Sequence, residues 1–268
     1  MAPKSLEKQF LKQNYVLMGE ISRLREALMR SRRFLELLQS MGPVVGVWLI
    51  EVVIRGCLFR DGMAHGVYSS LYPNLQEELL PATDREQWGE IAFDEGCVAA
   101  GIWLQASWDE DSGVLDASIR EEAEAVPREL EAMSLGQRRE LSKSAKGALF
   151  DKLLRDPDSA VIRGLLRNPR TTEREVLNLC SRRPILPQVL EVVVEIPKWF
   201  QRYRVQWALA NNPFVSPRLG MFLLPLLHRE DREELIREQT AGASIRLAAN
   251  KLLTLEEGLS SAPPFCLR

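Results

Sequence analysis

Apolar positions in the first forty residues recur in alternating steps of four and three: Phe10, Asn14, Leu17, Ile21, Leu24, Leu28, Ser31, Leu35 and Leu38. A seam of that period, flanked by Lys, Arg and Glu, predicts one long amphipathic or coiled-coil helix over residues 1–40, with Asn14 as a register-setting core polar residue. The seam has two uses open to it, self-association or packing against the apolar stretch that follows. Residues 44–58 are dense in Val and Ile, so their period does not separate a buried helix from a strand, and helix is the favoured reading. Pro81-Ala82-Thr83-Asp84 reads as a helix start. Trp88, Ile91, Ala92, Val98, Ala99, Ile102 and Trp103 then share one face at helical spacing, as core residues of a helix that closes in an acidic loop at 108–113. Residues 119–131, rich in Glu and Ala with Pro127 inside, read as a linker or a solvated helix.

From Ser142 the texture changes to short apolar segments between Pro-centred turns. Superimposing Asn168-Pro169 on Asn212-Pro213, 44 residues apart, also aligns Val161 with Val205, Leu165 with Leu209 and Thr172 with Ser216. Asn before Pro is driven out of the helical region, and the Thr or Ser that follows is a helix cap. Residues 187–199 supply a further helix and turn between the two copies, and 244–250 resemble a third copy without the proline. Helices this short hold together only by stacking on neighbours.

These residues resemble a known family. Leu153-Leu154-Arg155-Asp156-Pro157-Asp158, Val161-Ile162-Arg163, Asn168-Pro169 and Thr172 are similar to the bacterial leucine-rich repeat variant, itself close to HEAT-like repeats. The resemblance covers about residues 141–255 and implies a helical solenoid that serves as a binding surface. A member of that family carries an iron-sulfur cluster, but Cys57, Cys97, Cys180 and Cys266 do not reproduce a cluster motif, and no cofactor is carried over. The expected fold is therefore all-α. An N-terminal helical region (1–133, acidic over 72–131) precedes an α-helical repeat domain (134–260), an α-solenoid of about eight short helices.

Composition adds little to that architecture, but charge does. The chain has 268 residues, 46% of them apolar, and a net charge of −2. Its charges are segregated. Residues 1–36 hold eight Lys and Arg against four acids (+4), 72–131 hold three against sixteen (−13), and 138–204 hold fifteen against eight (+7). Such blocks point to contacts between parts of the chain or with a partner, and the acidic segment is expected against the basic one as a counter-charge. The longest apolar run, at 43–54, is interrupted by Glu51 and short of the roughly twenty residues of a membrane span. With no secretory pattern at the start, a cytoplasmic location is expected.

Chemistry is sparse. The chain's two histidines, His65 and His228, stand in no metal or triad motif, and neither GxxxxGK[ST] nor GxGxxG occurs. His65 reads as part of a Gly-rich turn and His228 as the end of an apolar helix. The cysteines lack CxxC spacing, and no enzyme, metal or cofactor is expected. The function this pattern suggests is a protein-interaction scaffold whose basic face, Arg163, Arg167, Arg170, Arg174 and Arg202, meets an acidic partner surface. The alternative is nucleic-acid binding, since Trp199, Tyr203 and Trp207 lie near those arginines.

Overall fold

Every regular element among the described residues is a helix. The computed structural model describes residues 4–72, 82–105 and 117–259. In chain order these form α1 (Lys4–Ser22), α2 (Ala27–Leu58), α3 (Gly62–Tyr68), α4 (Ala82–Asp94), α5 (Val98–Leu104) and α6 (Ala117–Glu124). There follow α7 (Leu135–Ser142), α8 (Gly147–Leu153), α9 (Ser159–Arg167), α10 (Glu173–Cys180), α11 (Pro187–Val194) and α12 (Pro197–Phe200). The last four are α13 (Tyr203–Ala210), α14 (Pro217–Leu223), α15 (Arg229–Glu238) and α16 (Ala243–Gly258). They divide into two compact units. The first comprises residues 1–107, 221–238 and 243–268, and the second residues 108–220 and 239–242. Residues 221–238 and 243–258, grouped with the repeats in the sequence reading, thus pack with the N-terminal helices.

The long N-terminal helix exists, but over different residues from those expected. The chain breaks after Ser22, where Arg30 Nη1 donates to the carbonyls of Leu24 (2.8 Å) and Arg25 (3.2 Å), and α2 starts at Ala27. Within α2, Gly42 takes φ 75° and ψ 170°, a conformation that L side chains resist, and Pro43 lacks the donor needed to continue the ladder. The helix therefore bends there. Its second half, 46–58, is buried throughout, which is the fate of a helix apolar on all sides. The Val- and Ile-rich stretch is thus a core helix. By length and composition α2 also passes as a membrane span, with a mean hydropathy of 1.8 over its most apolar window, yet in this fold its polar pair, Glu51 and Arg55, is enclosed with it.

Around α2 the first unit packs α1, α3, α4, α5 and the 3-10 turn Leu224–Leu226, with α16 against α5 and α15. Phe10 stacks on Trp48 at 5.7 Å between ring centres, and Asn14, Ile21, Ser31, Leu35 and Leu38 are buried while Leu28 is exposed. Most of the predicted seam is used within the unit. The helix expected to run from 82 through Trp103 is two helices. Gly96, at φ 79°, turns the chain between α4 and α5, and Trp88, Ala92, Ala99, Ile102 and Trp103 still reach the core.

In the second unit α7 packs on α9, α9 on α11, and α10 on α13. The starts are well capped: Ser134 and Gln137 form a capping box on α7, Thr172 and Glu175 another on α10, and Asp158 Oδ1 accepts from the N–H groups of Ala160 and Val161 at 3.0 Å each. Val161, Leu165, Val205 and Leu209 are fully buried. Helix α6 is exposed apart from Ala123.

Candidate functional site

The two Asn-Pro turns are built alike from the side chain up. Asn168 Nδ2 donates to the carbonyls of Ser142 (3.4 Å) and Ala145 (3.0 Å), and its Oδ1 accepts from Arg170 N at 3.0 Å. Asn212 Nδ2 donates to Cys180 (2.7 Å) and Arg182 (3.0 Å), and its Oδ1 accepts from Phe214 N at 2.9 Å. Both side chains are buried. Each carboxamide therefore satisfies helix-end carbonyls of an earlier turn and closes its own turn, which locks neighbouring turns together.

On this frame the five predicted arginines have different fates. Arg163 is clamped to Glu195 by two parallel bonds of 2.7 and 2.8 Å, and Arg202 is ion-paired to Glu173 while its guanidinium lies 5.4 Å from the Trp199 ring centre. Bidentate pairing takes up one two-donor edge of the Arg163 fork. The side-chain bond to Glu195 is the main reason its pKa rises further. Arg167, Arg170 and Arg174 are exposed, and among the described residues none of the three makes an ion pair; Arg170 Nη1 reaches only the Ser144 carbonyl at 3.4 Å. These three follow one another in the stretch 167–174, from the end of α9 into α10, and the other two are committed to Glu195 and Glu173. The acids that do neutralise the basic stretch come from within it: Asp156, Asp158, Glu140, Glu195 and Glu173. Much of the acidic segment, at 73–81 and 106–116, lies outside the described residues.

The aromatics near this face are partly or wholly packed into the fold, Tyr203 being half-buried. Trp199 is buried, donates from Nε1 to the Leu166 carbonyl at 2.8 Å, and is covered by Lys198 at 4.1 Å. Trp207 is half-buried.

Elsewhere, buried polar groups bond elements to one another. Glu51 is wholly buried, accepts from Arg55 Nε (2.5 Å) and from the N–H of Ala100 (2.7 Å), and so caps α5; burial raises its pKa against the pull of Arg55. Arg232, also fully buried, donates to the carbonyls of Leu224 (3.1 Å) and Leu227 (2.7 Å) and pairs with Glu256. The histidines differ from their expected settings. His65 lies inside α3, hydrogen-bonded to the Leu226 backbone, and His228 directly precedes α15. The fold brings both to Arg60, whose Nη1 donates to the Leu226 carbonyl at 2.9 Å. Cys57, Cys97 and Cys180 are buried and outside any disulfide, and burial pushes the Cys57 and Cys180 thiols well above the usual range. Cys266 lies outside the described residues. Among those described, no three His, Cys, Asp or Glu side chains gather as a metal site.

Fold and site together define a helical protein with a turn-borne basic edge. Compared with known proteins, the chain matches no family model, no curated protein and no solved structure.

Proposed function

We propose that this chain is a non-enzymatic interaction scaffold, in which the short helices of the second unit stack as an α-solenoid of related repeats and offer Arg167, Arg170 and Arg174 to an acidic protein surface. The observation that carries the reading is the pinned Asn168 turn, beside three exposed arginines that have no carboxylate partner among the described residues. A fixed turn favours recognition because its backbone is already ordered before binding. Support for the stacking comes from the staggered packing of α7, α9 and α11 and of α10 and α13, and from the matching bonds of Asn168 and Asn212.

The test is affinity capture with the full-length chain, with and without nuclease, beside the variant R167E/R170E/R174E. A partner retained after nuclease and lost with the charge reversal is the expected result, with an unchanged melting temperature because all three side chains are exposed. Loss on nuclease treatment would assign the face to nucleic acid instead, and capture unaffected by the reversal would remove these residues from the site.

A further inference from the structure

The break between α1 and α2 carries a pattern of charged and apolar side chains that the core does not use. Residues 23–33 hold five arginines, Arg23, Arg25, Arg30, Arg32 and Arg33, against one acid, Glu26. Arg30 is half-buried and gives its Nη1 to the carbonyls of Leu24 and Arg25, which ties the break closed. The other four are exposed, and among the described residues only Arg33 pairs with an acid, the exposed Glu36 at 3.2 Å.

Two large apolar side chains stand among them. Leu28 is 44% exposed and Met29 53%, although the heptad period places Leu28 in the seam. Helix geometry fixes how these neighbours meet, because residues three and four apart lie on adjoining turns of one face. Leu28 is thus followed by Arg32, and Met29 by both Arg32 and Arg33, while Ser31, Phe34, Leu35 and Leu38 take the buried side. Arg23 and Arg25 lead into the same first turn of α2, and α1 packs on α2, so the patch is the tip of a helical hairpin. All of it belongs to the first unit.

We propose that this tip is a docking surface for an anionic lipid bilayer, with Leu28 and Met29 entering the headgroup layer and Arg23, Arg25, Arg32 and Arg33 meeting the lipid anions around them. A bilayer presents that layering, negative groups over an apolar interior. Arginine suits the boundary, since its stem lies along apolar material while its guanidinium pairs with phosphate. A nucleic acid would answer the arginines and leave Leu28 and Met29 in water. A rigid acidic protein would need a pocket shaped for those two side chains, whereas acyl chains yield to them. Such a contact lies on the membrane and needs no spanning helix, so α2 keeps its place in the core. With only two apolar side chains, attachment is reversible and depends on surface charge. The tip shares no residue with Arg167, Arg170 and Arg174, so either assignment can fail without the other.

The experiment is co-sedimentation of the full-length chain with vesicles at low salt, using phosphatidylcholine alone and phosphatidylcholine mixed with phosphatidylserine. The expected result is pelleting with the anionic vesicles only, lost at high salt. R23Q/R25Q/R32Q and L28Q/M29Q alter only exposed side chains, and each should weaken binding roughly ten-fold or more. R167Q/R170Q should leave it unchanged. A polarity-sensitive fluorophore on M29C, in a chain carrying C266S and with Cys57, Cys97 and Cys180 buried, should shift to the blue on anionic vesicles and not on neutral ones. No binding to either vesicle, equal binding to both, or binding retained in full by either variant of the tip would overturn the proposal. An oligonucleotide that binds through the same arginines more tightly than the vesicles do would overturn it too, and would assign the tip to nucleic acid.

Discussion

The carboxamides of Asn168 and Asn212 each bond three backbone groups inside a buried turn, which an alanine leaves unsatisfied. Asn168→Ala and Asn212→Ala should each cost about 1–3 kcal/mol by urea denaturation, whereas Asn178→Ala, on the exposed side of α10, should stay within about 0.5 kcal/mol. Equal small effects at all three would show that the turns do not depend on their asparagines. Spacing made Asn168 and Asn212 conspicuous in the sequence. The carbonyls that their Nδ2 groups bond, 23 to 32 residues away, follow no local pattern. The histidines give a second prediction at this scale. Burial first, then Arg60, hold His65 below its ordinary value. The same two causes lower His228 against the opposing pull of Asp231 and Glu230. The unfolded chain, with histidine pKa values of about 6.5, therefore binds more protons than the folded one as the pH falls past that value. Stability contributed by the neutral imidazoles is complete above about pH 6.5 and declines as the pH drops toward the lowered folded values. The melting temperature should fall between pH 7.5 and 5.5 in the wild type and fall less in H65Q/H228Q. Parallel curves would place the acid sensitivity elsewhere.

At the level of elements, the helices were legible and their interruptions were less so. Short apolar segments between Pro turns marked α9, α10 and α13, and the Val-rich run became the buried half of α2. The break at 23–26 and the turn at 95–97 were missed because the seam residues continue across both in the correct period. What separates α1 from α2 is the capping of Leu24 and Arg25 carbonyls by Arg30, and at Gly96 a positive φ. The start of α5 depends on Glu51, a residue 49 positions away from its partner Ala100. Glu51→Ala strands Arg55 as a buried charge and uncaps α5, so the first unit should lose about 3–5 kcal/mol in denaturant. Gly42→Ala, which places a side chain in a conformation open almost only to glycine, should cost about 1–3 kcal/mol. A neutral result for Glu51→Ala would mean that water reaches the pair.

For the whole molecule, the boundary between units matters most to experiments that cut the chain. Phe222 stacks on Tyr68 at 4.5 Å and lies 4.9 Å from Tyr72, so residues late in the sequence complete a core begun early. A fragment of residues 134–268 should therefore bare Phe222, Leu226, Ile245 and Leu252 and bind a hydrophobic dye, unlike the full chain. Deleting residues 1–40 removes Phe34, Leu35 and Leu38 from the same core. Circular dichroism should show a loss of helix beyond the deleted residues. A fragment 134–268 that stays compact and dye-free would show that its C-terminal helices do not need the first unit.

Hydrophobic period and turn chemistry by themselves determined that this chain is helical, that its helices between 134 and 220 are short, and where Asn-Pro turns end them, because those properties depend on neighbours within a few residues. Only the tertiary structure decided which cations are free. Arg163 and Arg202 found acids 32 and 29 residues away, while Arg182 and Arg183 found only backbone carbonyls, of Leu154 and Asn211. A charge pair forms wherever folding brings two side chains within reach, and no spacing along the chain records that distance.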